Sequence, residues 1–472
     1  MDNMSQLTNP YLPAWEYIPD GEPYVFGDRV YVYGSHDFFG GEVYCMGDYM
    51  GWSAPVNDLG NWRCEGVIYR KDQDPDNADL QGNLYAPDVA VGPDGRYYLY
   101  YVLSNCGYVS VAVADNPAGP FEFYGNVRYP DGTRLGEKEG DEPQFDPGVL
   151  TEGDVTYLYT GFCSYGDLSR HGAMVTVLDE DMLTVKEAPR FVAPGVMYSA
   201  GTGFEGHEFF EAPSIRKRGN LYYFIYSSIK FHELCYATSE SPVEGFVYRG
   251  VIISACDMGI DTYKPAEKPM FYTANNHGSM TEINGSWYIF YHRHTNGTNY
   301  SRQGCMEKLT ILDDGTIMQA EITSCGGIST PLRGEGEYPA YIACHLFTDT
   351  DVEYIPWSGW MDDRFPKITQ TCGDGQDRMS YIANMRPSAT AGFRYFDCKG
   401  VKKIGIRTKG YANGSMEIRL AWNGDVIGEI PIGYNNVWHY AETDVSVPDG
   451  IRSLYFTFKG NGYLQFASFE LK

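Results

Sequence analysis

The amino-acid sequence reads as an all-β protein, a five-bladed β-propeller followed by a β-sandwich of jelly-roll type. A recurring phrase, the composition and an abrupt end to the recurrence support that reading. The phrase is a polar or acidic entry, an apolar residue, a turn with Gly, Asp or Asn, and then an aromatic strand. It occurs five times, over residues 20–33, 88–101, 146–159, 211–226 and 277–291, anchored on Asp20, Asp88, Asp146, Glu211 and His277. The anchors recur at roughly 60 to 65 residues, and strand-only units at a steady period indicate a propeller rather than a helical solenoid. The 54 glycines and 40 tyrosines among 472 residues suit many turns and strands, and no long run carries helical apolar periodicity.

In chain order, Asn9-Pro10-Tyr11-Leu12-Pro13 is an irregular lead-in, because two prolines prevent helix. The Gly27-Asp28 turn between two alternating runs makes a hairpin with Asp20 at its entrance. Pro93-Asp94-Gly95 marks the turn of the second copy. The third opens on Phe145-Asp146-Pro147-Gly148, the fourth on Glu211-Ala212-Pro213, and the fifth on Asn276-His277-Gly278-Ser279. After about residue 325 the acidic entry stops, and Gly-rich residues 325–336 read as a linker. A propeller is therefore expected over residues 1–330 and a sandwich over 336–472, the latter from short alternating runs such as 415–420 and 453–458.

Lys plus Arg number 36 and Asp plus Glu 62, a net charge of −26. Such a balance serves solubility and repels nucleic acid and anionic membrane, so neither is expected as a partner. No apolar run approaches the ~18 residues of a membrane span. The first residues lack a basic stretch and an apolar core, and eleven cysteines without a Cys-x-x-Cys pair read as reduced thiols, so a cytoplasmic address is expected. There is no Gly-x-Ser-x-Gly elbow, no glycine-rich phosphate loop ahead of a helix, and no closely spaced His/Cys cluster for zinc. No organic cofactor is expected.

The innermost strands of a propeller start at one end of its channel, so the five anchors should converge there. Carboxylates gathered around one axis repel each other, and a stable fold rarely assembles them for packing. Two carboxylates across a sugar-sized cavity are the minimum machinery of glycoside hydrolysis, and a third can raise the pKa of the acid. Any one Asp before Pro or Gly reads as turn chemistry; their repetition weighs the other way. His277 stays open among a metal ligand, a substrate contact and a satisfied buried imidazole, and a calcium ion with mostly water ligands would leave little trace in sequence. Trp15, Tyr85 and Phe145 are candidate aromatics for stacking on sugar rings.

Over about residues 8–325 these motifs resemble glycoside hydrolase family 43. In that resemblance Asp20, before Val25-Phe26-Gly27-Asp28-Arg29, takes the place of the general base. Asp146 in Phe145-Asp146-Pro147 takes that of the pKa-modulating aspartate, and Glu211 in Glu211-Ala212-Pro213 that of the general acid. Tyr85-Ala86-Pro87-Asp88 is similar to the family's Trp-Ala-Pro-Asp segment, which makes Asp88 a supporting site residue. His277 is similar to an axial histidine that binds calcium directly or through water, and Arg302 in Ser301-Arg302-Gln303 to an arginine contacting substrate hydroxyls. The resemblance implies an inverting enzyme acting on terminal α-L-arabinofuranosyl or β-D-xylosyl groups of plant-derived oligosaccharides, and a cytoplasmic address would favour exo action. The alternatives are a β-galactofuranosidase, a non-catalytic sugar-binding propeller, and a phosphorolytic enzyme; the last needs channel cations, of which only Arg302 is visible in sequence.

The C-terminal segment resembles a family 6 carbohydrate-binding sandwich, on Phe456-Thr457-Phe458-Lys459-Gly460 and residues 462–469. Where such modules carry an acidic stretch, this chain has Tyr341-Ile342-Ala343-Cys344-His345-Leu346-Phe347. The departure bears on the calcium and sugar binding of such modules; the alternative is that the segment buttresses the propeller.

Overall fold

Each of the five repeats forms its own antiparallel sheet with strands in chain order. The computed structural model describes residues 6–349, 364–371 and 379–472. Blade 1 comprises Glu22–Phe26, Arg29–Tyr33, Tyr49–Pro55 and Arg63–Tyr69. Blade 2 comprises Asp88–Val91, Tyr97–Tyr101, Ser110–Ala114 and Glu122–Asn126. Blade 3 comprises Gly148–Glu152, Val155–Thr160, Gly172–Leu178 and Val185–Pro194. Blade 4 comprises Phe209–Arg218, Leu221–Ser228, Glu233–Ser239 and Val247–Ser254. Blade 5 has three strands, Met280–Ile283, Ser286–His294 and Arg302–Lys308, followed by a small hairpin of Thr310–Ile311 and Ile317–Met318.

The tyrosines are explained by how blades pack face to face. Tyr33, Tyr49, Tyr69 and Tyr101 are buried with Phe121 between blades 1 and 2, and Tyr159 and Tyr226 with Phe224 between blades 3 and 4. A buried phenol needs a partner for its hydroxyl. Tyr33 donates to Pro117 O (2.6 Å), Tyr100 to Met182 O (2.8 Å) and Tyr101 to Asp74 (2.6 Å).

The ring is closed by the lead-in. Asn9 N–H donates to Ser324 O (3.0 Å), while its side-chain amide donates to Met306 O (2.9 Å) and Glu307 (2.8 Å) of blade 5. Near the channel a bridge between Gly21 and Gly278 joins blade 1 to blade 5.

Beyond the small hairpin the chain builds a sheet-rich C-terminal domain from Leu332–Arg333 onward. Two long strands, Lys403–Arg419 and Gly450–Leu471, pair along their length and carry the rest of the ladder. The segment 341–347 faces the propeller. Arg293 of blade 5 donates to Tyr341 O (2.6 Å) and Ala343 O (2.8 Å), and His345 lies 3.3 Å from buried Asp257. One apolar cluster runs from Ile225, Ile252 and Ile289 of blades 4 and 5 into Leu346, Phe393 and Phe456, so the two parts share a core.

Candidate active site

Backbone geometry aims the acids. Asp20 and Asp146 each lie two residues ahead of the first strand of their blade and take left-handed φ angles of 59° and 45°. Non-glycine residues held there store strain that the surrounding structure must override. Glu211 lies inside Phe209–Arg218, where the register breaks on both sides of it and Ala212 takes φ 62°. A bulge of this kind re-aims a side chain that a regular strand would direct elsewhere. Glycine follows close behind two anchors because the blades crowd the axis. A Cβ at Gly148 would lie 2.3 Å from Pro213 O, and one at Gly278 would lie 1.9 Å from Phe290 O.

These devices bring Asp20, Asp146, Glu211, His277 and Arg302 to the floor of one cavity of about 750 Å³. Tyr85 and Phe145 line it, as expected for stacking residues, together with Phe162, Phe210 and Phe231. Arg302 donates to Asp20 Oδ1 (2.8 Å) through Nη1 and to the two oxygens of fully buried Asp37 through Nε (2.8 Å) and Nη2 (3.1 Å). Burial disfavours charge on Asp20, yet the Arg302 guanidinium holds its carboxyl far below the usual carboxylate range. Burial and then the Asp20 charge push Glu211 up to about 8. Burial, followed by the charges of Glu211 and Asp20, also raises Asp146, whose Oδ2 accepts from Ala212 N–H at 3.2 Å. Asp146 and Glu211 thus titrate together, and near neutrality the pair keeps a proton. His277 Nδ1 stands 3.8 Å from Asp20 and 3.7 Å from Asp146, and burial lowers the imidazole to about 4, leaving it neutral.

Two expected site residues stand elsewhere. Asp88 is completely buried and absent from the cavity wall: Oδ1 accepts from Tyr24 Oη (2.7 Å) and Val89 N–H (2.7 Å), and Oδ2 from Val149 N–H (2.7 Å). The reason is register. Asp88 is the first residue of its strand, level with Glu22, whereas Ala86, two residues earlier, lines the cavity at the level of Asp20 and Asp146. Trp15 also lies off the cavity, packed beside Trp52 with ring centroids 6.3 Å apart.

Other residues at the site were not read from the sequence. Asn275 lines the cavity and hydrogen-bonds Glu211. His294 Nε2 lies 2.8 Å from Asn275 Oδ1, and His292 Nε2 lies 2.9 Å from Asn275 O. A carbonyl only accepts, so His292 carries its proton on Nε2, and its bare Nδ1 accepts Asp20 N–H at 3.4 Å. The signal was present as His292-x-His294, two imidazoles on one face of the strand Ser286–His294. Lys230 also lines the cavity, a second cation beside Arg302. Its place on a short loop left no pattern to read.

The family model of glycosyl hydrolases family 43 matches residues 27–317. A xylosidase/arabinosidase of Thermoclostridium stercorarium is 63% identical over 467 residues, covering 99% of each chain. Among solved structures, a family 43 arabinoxylan arabinofuranohydrolase from Bacillus subtilis in complex with cellotetraose is 21% identical, covers 99% of each chain and superposes with a TM-score of 0.53, a likeness of fold over the whole length. A family 43 β-xylosidase/α-arabinofuranosidase from a compost microbial metagenome, described with xylotriose in a calcium-free form, is 26% identical. It covers 67% of this chain and 97% of its own, with a TM-score of 0.52.

Proposed function

The chain belongs to glycosyl hydrolases family 43, and from that premise we propose that it removes terminal α-L-arabinofuranosyl or β-D-xylosyl residues from plant-derived oligosaccharides with inversion. The observation that carries the assignment of roles is the opposite tuning of two carboxyls in one cavity, Asp20 held ionised by Arg302 and Glu211 held protonated near neutrality. Asp20 takes a proton from a water that attacks the anomeric carbon, while Glu211 gives its proton to the departing glycosidic oxygen as the C–O bond breaks. Asp146 keeps the acid proton in the pair, and Asn275 orients the Glu211 carboxyl. Arg302 fixes Asp20 and keeps one Nη1 hydrogen for a sugar hydroxyl.

Exo action is supported by the floor below the cavity. Glu22, Ser214, Arg216 and Ser279 are buried and hydrogen-bonded across blades 1, 4 and 5, and buried Asp88 joins Tyr24 of blade 1 to Val149 N–H of blade 3. In this reading the packed layer floors the channel, so a glycan enters from one end. The neutral His277, with two carboxylates close by, fits a hard cation that fills its other positions with water. Calcium held there would supply positive charge that favours the ionised form of Asp20. The C-terminal domain buttresses blades 4 and 5 through the shared core and the Arg293 contacts.

The test is turnover of 4-nitrophenyl α-L-arabinofuranoside, β-D-xyloside and β-D-galactofuranoside by the wild type, with the product anomer followed by proton NMR, and of the matching unactivated oligosaccharides by the wild type and Glu211→Ala. Inverted product from the first or second substrate, with turnover of its unactivated counterpart lost in the variant, supports the proposal. Retained configuration, or galactofuranoside as the preferred substrate, overturns it.

A further inference from the structure

Behind the cavity wall, on the outer side of blade 4, His207, Glu233 and Cys235 converge. Glu233 and Cys235 are two residues apart on the strand Glu233–Ser239 and so share a face, while His207 arrives from the segment ahead of Phe209–Arg218. His207 Nδ1 lies 2.6 Å from Glu233 Oε1 and 3.8 Å from Cys235 Sγ, and Sγ lies 3.5 Å from the same oxygen. Glu233 and Cys235 are buried, and the His207 side chain is 24% exposed, which leaves a way in from solvent. The Tyr248 ring stacks on the imidazole, with centroids 5.0 Å apart, and fixes its plane.

We propose that His207, Glu233 and Cys235 form a binding site for a tetrahedral divalent transition metal of the zinc class, with an open fourth position. Bonds of about 2.0–2.3 Å at the tetrahedral angle place ligand atoms roughly 3.4–3.6 Å apart. Two of the three edges already match to about 0.3 Å, and the third, the present His207–Glu233 hydrogen bond, must open by roughly 0.8 Å. One nitrogen, one oxygen and one sulfur donor suit zinc and cobalt better than calcium or magnesium. The thiol gives its proton to solvent as the metal–sulfur bond forms, and the imidazole keeps one proton.

Occupancy reaches the cavity through the imidazole tautomer. An ammonium only donates, so the His207 Nε2 that meets Lys230 Nζ at 3.3 Å is bare, and Nδ1 carries the proton that faces Glu233 Oε1. Metal on Nδ1 moves that proton to Nε2, which sets a donor against the ammonium. Lys230 then leaves His207, and Lys230 with its neighbour Phe231 lines the cavity. Metal at this site thus repositions a cation at the substrate entrance.

The test is titration of the full chain, reduced and freed of metal by chelator, with Co²⁺ followed by absorption. One equivalent with a thiolate-to-cobalt charge-transfer band and tetrahedral d–d bands is expected, reversed by added Zn²⁺. The band should vanish in Cys235→Ser, and affinity should fall at least tenfold in His207→Gln and in Glu233→Gln. Thermal melting of each variant without metal checks that it folds, and three independent variants keep the test open if one does not. A band that persists in Cys235→Ser would trace to another thiol, such as Cys64 or Cys106, which are not buried, and would overturn the site. Absence of a thiolate band in the wild type would do the same. Neither readout depends on glycoside turnover.

Discussion

Two layers of carboxylates lie one strand-step apart along the propeller axis. The upper one holds buried Asp20 and Asp146 and half-buried Glu211 and faces the cavity; the lower one holds buried Glu22 and Asp88 and does not. In the lower layer Arg216 donates to Glu22 (2.6 Å) and to Met280 O (3.0 Å) and stacks over Tyr24, while Asp88 spends both oxygens on Tyr24 and backbone amides. In the upper layer the backbone is strained, Arg302 grips Asp20, Asp37 and the Cys45 thiol, and Glu211 is left to share a proton with Asp146. The same residue type does opposite work. Buried away from the cavity a carboxylate cements the blades, even though Glu22 Oε1 has no hydrogen-bond partner, and facing the cavity it is free to exchange protons with a ligand.

The sharpest way to break the comparison is to strike each layer separately. Glu211→Gln should lower kcat on unactivated xylo- or arabino-oligosaccharides by about 10²–10⁴-fold, measured by released sugar, with KM little changed. Because the folded carboxyl holds its proton up to about 8 and an unfolded one releases it near 4.3, wild-type stability should fall as pH rises across that window. Glu211→Gln should therefore be the more stable protein at pH 8, by about 1–3 kcal/mol in urea denaturation.

Arg216→Met strikes the lower layer and should cost about 3–5 kcal/mol of stability, since it leaves Glu22 and Asp88 buried without their cation. Protein that remains folded at low temperature should keep most of its kcat. A destabilisation of under 1 kcal/mol would mean that the layer tolerates loss of its cation.

The alkaline limb of kcat/KM should fall near pH 8, because the proposed mechanism needs Glu211 protonated and loses it as pH rises through its pKa. Asp146→Asn removes one charge of the pair and should move that limb to lower pH; an unmoved limb would assign it to another group. The smallest effect is expected from Trp15→Ala, which stands off the cavity and should change kcat/KM by about twofold or less, whereas Tyr85→Ala should cost about tenfold through lost ring contact.

The repeat was legible because each blade must bury aromatic rings on its faces and turn tightly at its edges, which stamps a pattern on every copy. The acids Asp20, Asp146 and Glu211 stood out because they open those copies. The blade 2 alignment went astray by two residues: the phrase led to Asp88, while the cavity-level residue is Ala86. Alternation along a strand has a period of two, so a slip of two keeps every side chain on its face and leaves the local pattern intact. Phe231 and Lys230 on a short loop, and Asn275 ahead of blade 5, carry no periodic signal at all. Their place in the cavity comes from how blades 4 and 5 are set around the axis.

By itself the sequence determined the all-β class, the number of blades and the three acids, because these rest on local alternation, turn chemistry and repetition that neighbouring residues impose on one another. Tertiary structure decided which layer each carboxylate occupies, which ones face the cavity, and how the Arg302 and Arg216 cations are shared among them. It also brought His207 to Glu233 and Cys235 and set segment 341–347 against the propeller. Those outcomes depend on distances between residues far apart in the chain, and electrostatic interaction and burial are set by such distances rather than by position in the sequence.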